Sequence, residues 1–324
     1  MNSKYSLGFF PTPLEKLTNL SEKYSNYTIY IKRDDQTGLA TGGNKTRKLE
    51  YLIQDAINNN CDSVITAGAQ QSNHCRQTAA ACAKANLKCH LLLGGSEPKV
   101  FTGNLLLSKL LGATIHFTGD NRKGEDIEML FKKLQQENFN PYIIPYGGSN
   151  LLGAMGFVNA VKELTEQLQK DKLQVDAIFF ASSSGGTQAG LQLGKILYNL
   201  KAKLYPISID KNELEGKTLN EVVFILVNEG LKKLCLSDKI KLEDCKLIEN
   251  YNAGGYGKIS KNERTAIDTL AKTEGILLDP VYTGRAFYGM LDMLNKNLLP
   301  ANSNILFWHT GGIPANFYYA DKLV

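Results

Sequence analysis

A chain of 324 residues with 43% hydrophobic side chains is long enough to bury a large core and to divide into two domains. Its 37 basic and 32 acidic residues leave a formal charge of +5 with no long block of one sign, which argues against a nucleic-acid or membrane surface and stays compatible with an anionic small molecule. Six cysteines without a C-x-x-C pair give neither a zinc framework nor a disulfide scaffold, and no apolar run approaches the ~18 residues of a membrane span. A soluble, cytoplasmic protein with reduced thiols is the expectation.

In chain order, strands and helices alternate almost throughout. "TIYIKRDD" is a strand, followed by the glycine loop "GLATGGNK" and a helix that begins near Lys45. "SVITAGA" is a buried strand and "SNHCRQTAAACAKAN" an alanine-rich helix. Then come the strand "KCHLLLGG", the helix "GNLLLSKLLGA", the strand "TIHFTG", the helix "GEDIEMLFKKLQQEN" and the strand and turn "PYIIPYGGSN". The second half continues with the helix "AMGFVNAVKELTEQLQ", the strand "DAIFFAS", the helix "GTQAGLQLGKILYNL" and the strand "KLYPISI". Helices around "LNEVVFILVNEGLKKL" and "KNERTAIDTLAKTEG" precede the last strand, "NILFWHTGG". Such alternation predicts open, mostly parallel α/β sheets, whose ligands sit at the carboxyl ends of strands.

Lys45 is the first anomaly. Leu49, Leu52, Ile53 and Ala56 form one apolar helical stripe. Lys45 lies about 40° from Leu49, Lys48 lies at the stripe's margin, and Arg47 lies on the opposite side. A lysine aimed at a core must be neutralised, paired or covalently used, unless it snorkels past the first turn to water. Four strand-end loops carry further unusual residues: "ATGGNK", "AGAQQSNH", "SSSGGTQAG" and "HTGG". In the third, helix-start amides with the hydroxyls of Ser183, Ser184 and Thr187, and Gly185 and Gly186 allowing close approach, suit a phosphate dianion; an ordinary Ser/Gly cap would look the same.

"GGTQAG", with Asp210 about 20 residues on, imitates a dinucleotide fingerprint, but the glycine spacing is wrong and Lys45 is left without a use. A nicotinamide oxidoreductase is therefore the competing class. No P-loop or H-E-x-x-H occurs, and His74, His90, His116 and His309 are scattered, so no metal is expected. Pyridoxal 5'-phosphate accounts for both features: a lysine for its Schiff base and amides for its phosphate.

"KRDDQTGLATGGNKTRKLEYL", "GAQQSNHCRQTAA", "SSSGGTQAG", "LDPVYTGRAFYGM" and "HTGGIPA", five blocks in order over nearly the whole chain, resemble the D-cysteine desulfhydrase and 1-aminocyclopropane-1-carboxylate deaminase family of tryptophan-synthase-β-like enzymes. The resemblance implies a large domain from residues 1–46 and 155–324, a small inserted α/β domain from 47–154, the cofactor in the cleft between them, a small amino-acid substrate and a homodimer. It implies that Lys45 is the Schiff-base lysine, Lys48 a phosphate contact, Asn73 the partner of the pyridoxal hydroxyl and Ser72 a residue that handles the substrate. Ser183 to Thr187 match the phosphate cup, with Thr310 beside the cofactor and His74 and Thr283 near the substrate. Tyr256 and Tyr282 match the two active-site tyrosines. From the residues alone, Ser72 and Asn73 equally suit a helix cap and the tyrosines equally suit packing. Deaminase sequences carry glutamate and leucine where this chain has Thr283 and Thr310. Those departures match the desulfhydrase pattern and predict elimination of sulfide from D-cysteine, with the deaminase and a cysteate sulfo-lyase as alternatives.

Overall fold

The computed structural model describes residues 3–210, 213–214, 216–252 and 254–324. Its elements run β1 (Leu14–Lys16), α1 (Thr18–Lys23), β2 (Tyr27–Arg33), α2 (Lys45–Asn58), β3 (Ser63–Gly68), α3 (Asn73–Ala85), β4 (Lys88–Leu93), α4 (Gly103–Leu110), β5 (Thr114–Phe117), α5 (Ile127–Gln136), β6 (Pro141–Ile143) and α6 (Leu151–Lys170). They continue with β7 (Ala177–Ser182), α7 (Gly186–Leu197), β8 (Lys203–Ser208), the hairpin β9 (Glu213–Leu214) and β10 (Lys217–Thr218), α8 (Leu219–Lys233), α9 (Lys261–Glu274), α10 (Thr283–Asn295), β11 (Ser303–His309), α11 (Pro314–Tyr318) and α12 (Ala320–Leu323).

Two sheets result, besides that hairpin. One has the order β1-β2-β11-β7-β8 and is parallel except for β1. The other, β5-β4-β3-β6, is parallel throughout. Pairing of β2 with β11, from Tyr27 opposite Ser303 to Arg33 opposite His309, brings both ends of the chain into the first sheet. The second sheet is built wholly from the sequence between β2 and β7. Central strands are apolar on both faces, as a parallel sheet covered by helices requires: β3 is buried along its whole length. These are the open α/β sheets that the alternation predicts.

Helix α6 packs closely on α2 and α7. A Cβ at Gly156 would lie 2.2 Å from the Arg47 carbonyl oxygen, and one at Gly190 would lie 2.3 Å from that of Ala154. Glycine is thus required where these backbones approach. The expected domain boundaries, 46/47 and 154/155, fall in the first turns of α2 and α6. Elements outside the sequence expectation are the short β1, α1 and hairpin, the two C-terminal helical turns, and α10. Helix α10 is started by a buried loop: Asp279 Oδ2 accepts from the amides of Val281 and Tyr282, and Oδ1 from that of Thr283.

Candidate active site

The loop before α2 is held in an uncommon conformation. Ala40, Thr41, Gly42 and Gly43 have φ of 42°, 72°, 73° and 128° in succession, and a Cβ at Gly42 would lie 1.9 Å from the Asp35 carbonyl oxygen. The turn delivers Asn44 and Lys45 to the carboxyl ends of β7 and β11. Asn44 donates its backbone N–H to the Thr310 carbonyl (3.0 Å) and its Nδ2 to Thr187 Oγ1 (3.3 Å). Lys45 then opens the helix. The stripe below it, Leu49, Leu52, Ile53 and Ala56, is fully buried, while Lys45 Nζ points into a cleft and donates to the Gly147 carbonyl at 3.0 Å. It is used neither in the core nor at the outer surface.

Lys48 is the more deeply placed of the two lysines, at 1% exposure, and donates to the same Gly147 carbonyl and to Ser149 Oγ, both at 3.2 Å. Burial, followed by the charge of Lys45, holds its ammonium well below the usual lysine range. No carboxylate pairs with Lys48 among the described residues. The start of α7 lies directly against it. Gly185 takes φ +79°, and a Cβ on Gly186 would come within 2.8 Å of Lys48 Nζ and 2.7 Å of Ser149 Oγ. Ser184 Oγ is 2.8 Å from Ser149 Oγ, whereas Ser183 Oγ donates to Asp210 Oδ1 at 2.9 Å. A buried cation, helix-start amides and a space that any side chain would fill together suit a small dianion.

Across the cleft, Ser72 caps α3 by accepting from the Cys75 N–H at 3.2 Å, so its hydroxyl hydrogen remains available. Asn73 and His74 line the same wall. His74 Nε2 is 2.9 Å from Thr66 Oγ1, and that hydroxyl spends its one hydrogen on the Ile144 carbonyl. His74 Nε2 must therefore donate, leaving Nδ1 a bare acceptor, with no partner among the described residues. Burial and the charges of Lys45 and Lys48 keep the ring well below the usual histidine range, hence neutral.

Tyr282 and Thr310 also line the cleft. Tyr256 stands behind Tyr282, ring edge to face with centroids 6.1 Å apart, and the Arg122 guanidinium lies over the Tyr256 ring, 5.0 Å from its centroid. Burial raises both phenols well above the usual tyrosine range, so both stay protonated. Thr283 is not brought to the cleft. It is fully buried, and its hydroxyl is committed to Asp279 Oδ1 at 2.8 Å, because the fourth residue after a buried carboxylate faces back onto it at the helix start. Lys48, Gly186 and Tyr256 form a second layer behind the lining. Sequence inspection overlooked Asn44, Tyr146, Gly147 and Ser149. Asn44 stands in the loop "ATGGNK", where Lys45 drew the attention, and the glycine cluster "PYGGSN", which reads as the end of a strand and a turn, was the signal for the other three.

The cleft encloses about 620 Å³ of empty space, counting its open side. Both sheets meet there: Ala67 from β3 with Asn73 from the helix that follows it, and Ala181 from β7 with Ser184 and Thr310 just beyond β7 and β11. An amine at its floor and an anion cup beside it fit pyridoxal phosphate. The family described as "Pyridoxal-phosphate dependent enzyme" matches residues 5–311, and the chain belongs to it. It is a pyridoxal-phosphate-dependent enzyme.

Among its relatives, a D-cysteine desulfhydrase of Serratia proteamaculans is 40% identical over the full length of both chains. A Pyrococcus abyssi protein, named "Putative 1-aminocyclopropane-1-carboxylate deaminase", is 40% identical over 97% of this chain and 92% of its own. The crystal structure of an ACC deaminase homologue superposes with a TM-score of 0.90, at 37% identity, over 99% of this chain and 95% of that one. The chain is thus similar to both branches, in sequence and in fold.

Proposed function

We propose that this enzyme is a carbon–sulfur lyase that eliminates sulfide from D-cysteine, giving pyruvate, ammonia and hydrogen sulfide. The observation that carries this choice is the absence of any carboxylate among the described residues lining the cleft. Bound pyridoxal phosphate supplies the electron sink for bond breaking at Cα. With no acid to strengthen that sink, loss of a good leaving group such as hydrosulfide is better served than opening of a cyclopropane ring.

Lys45 is the covalent partner of the cofactor and, once displaced, the base that takes the Cα proton, since its Nζ lies at the cleft floor. Lys48, Ser184, Thr187 and the amides of Gly185 and Gly186 hold the phosphate, and Asn73 and Thr310 contact the ring. Ser72, with Asn73, His74 and the start of α3, grips the substrate carboxylate and decides which face of Cα meets Lys45. Tyr282, protonated and on the lining, donates a proton to the departing hydrosulfide, and Tyr256 supports it from behind. The enamine product hydrolyses in water to pyruvate and ammonia. A large body of residues 1–46 and 155–324, an inserted one of 47–154, a homodimer and a cytoplasmic location belong to the same proposal, on the strength of the family resemblance.

The test is a panel of D-cysteine, L-cysteine, aminocyclopropane-carboxylate and cysteate on one preparation, scored for pyruvate, ammonia and sulfide. D-cysteine should exceed the cyclopropane compound at least ~100-fold in kcat/KM, about 2.7 kcal/mol. Comparable rates would place the protein with the deaminases, and preference for cysteate with the sulfo-lyases. Tyr282→Phe should lower kcat for D-cysteine about 10²-fold and Tyr256→Phe less; the reverse order would exchange the two roles.

A further inference from the structure

The Asn73 amide turns its Nδ2, and not its Oδ1, to the cleft, and a chain of buried groups fixes that choice. Arg76, one turn along α3, is completely buried and has no carboxylate partner among the described residues. Its Nε donates to Asn104 Oδ1 at 2.7 Å. A guanidinium can only donate, so this oxygen is the acceptor end of the Asn104 amide. The same orientation is demanded from the other side, because Asn104 Nδ2 donates to the Gln71 backbone carbonyl at 3.0 Å, which can only accept. The second hydrogen of Nδ2 goes to Asn73 Oδ1 at 2.8 Å. Asn73 is left with its NH₂ directed to the cleft, where it meets no other described residue. Amide orientations are ordinarily ambiguous, but here every link is fixed by a group with one possible role.

The rest of the guanidinium holds the loop that presents Lys45. Nη1 donates to the Ala40 carbonyl, to Thr41 Oγ1 at 2.7 Å and to the Gly42 carbonyl at 3.1 Å, and Nη2 donates to Gly42 as well at 3.1 Å. These are three of the four consecutive positive-φ residues before Asn44, a conformation that persists only where surrounding contacts impose it. Burial pulls Arg76 down to about 9, so it remains a donor at neutral pH.

We infer that Arg76 and Asn104 are positioning residues that set the polarity of Asn73, making it a fixed hydrogen-bond donor toward the bound cofactor while locking the Lys45 loop in the same register. This rests on the assignment of the cleft to pyridoxal phosphate. An electron-rich oxygen on the cofactor is favoured there, and a donor group is refused. Neither Arg76 nor Asn104 touches the cleft, so their action passes through Asn73.

Asn104→Asp is the informative variant. The carboxylate still accepts from Arg76 and gives it a counter-charge, yet it has no hydrogen to offer, so Asn73 turns its NH₂ inward and shows oxygen to the cofactor. The variant should bind pyridoxal phosphate about tenfold more weakly and shift the visible absorption band of the loaded protein by several nanometres. The thermal midpoint of the cofactor-free protein should stay within about 5 °C of wild type. Wild-type affinity with an unmoved band overturns the inference; so does weaker binding that only follows lost stability with the band unmoved. Should Asn104→Asp fail to fold, Asn73→Asp puts an acceptor at the same place without touching Arg76, and a wild-type band and affinity there overturn the inference equally. Cofactor uptake and sulfide release by the wild-type protein test the cleft assignment separately, before any variant is compared.

Discussion

Two adjacent residues of α2 show how differently one protein treats its buried cations. Arg47 and Lys48 are 4% and 1% exposed. Arg47 is answered within the chain: Nε and Nη2 meet Asp34 at 2.8 and 2.7 Å, and Nη1 and Nη2 meet Glu163 at 2.9 Å each. Lys32, fully buried, closes the network on Glu163, and Trp308 Nε1 donates to Asp34 at 2.9 Å. Lys48, the next residue, meets a carbonyl and a hydroxyl, and no carboxylate among the described residues. A buried charge without a counter-charge is costly, and a fold that can afford Arg47 two carboxylates could have supplied one for Lys48. The difference marks Arg47 as the cation that holds the architecture and supports the proposed role of Lys48 toward the phosphate.

Removing Lys45, at the head of this helix, has the largest expected effect. Lys45→Ala should lose at least ~10⁴-fold in kcat, about 5.5 kcal/mol, while still retaining cofactor through the cup. Borohydride reduction of the wild type should place the pyridoxyl group on Lys45 by peptide mapping; recovery on Lys48 would reverse the contrast drawn above.

Arg47→Met comes next. It leaves Asp34 buried without its ion-pair partner and Glu163 with Lys32 alone, and should cost about 3–5 kcal/mol in urea unfolding, with or without cofactor. A loss under about 1 kcal/mol would show that water replaces the guanidinium easily.

Acid should dismantle the same network. Burial alone would raise Glu163, but the hydrogen bonds and charges of Arg47 and Lys32 outweigh it and hold the carboxyl at about 2, against 4.5 when unpaired. A carboxylate depressed on folding adds stability above its unfolded pKa and loses it as pH falls toward the folded value. Glu163 should therefore contribute about 3 kcal/mol at neutral pH that disappears between about pH 4.5 and 2. Glu163→Gln should flatten that part of the stability–pH curve; an unchanged curve would assign the acid loss elsewhere.

Lys48→Met is the smallest effect and the sharpest test of the comparison. No carboxylate is left unpaired, so the cofactor-free protein should lose no stability, and relief of the buried charge should add about 1 kcal/mol. Affinity for pyridoxal phosphate, measured by dialysis and absorbance, should fall roughly 10- to 100-fold, about 1.4–2.7 kcal/mol. Destabilisation of the cofactor-free protein as large as that of Arg47→Met would erase the distinction.

The helical stripe of α2 was legible in the sequence, but the burial of Arg47 was not. A stripe drawn from one helix assumes one covered face, whereas α6 closes on the other side at Gly156 and the whole stretch from Thr46 to Ile53 is buried. Thr283 shows the same kind of error. The family resemblance placed it near the substrate, but the local turn at Asp279 rotates consecutive side chains to opposite sides, one onto the buried carboxylate and one onto the lining.

By itself the sequence determined the alternation of strands and helices, the lysine out of place at a helix start, and the Ser/Gly loop at the head of α7, because these are set by periodicity, caps and backbone freedom within a few residues. Only the tertiary structure decided that Gly147 and Ser149 would meet Lys48 beside the start of α7, that Tyr282 rather than Tyr256 would reach the lining, and that Lys48 would have no acidic partner among the described residues. Each of those depends on which groups from distant parts of the chain arrive at one place, as Ser149 and Ser184 do at 2.8 Å. Local patterns specify an element and the face it must bury; the charge and hydrogen-bond balance of a cleft is fixed by neighbours that no local pattern contains.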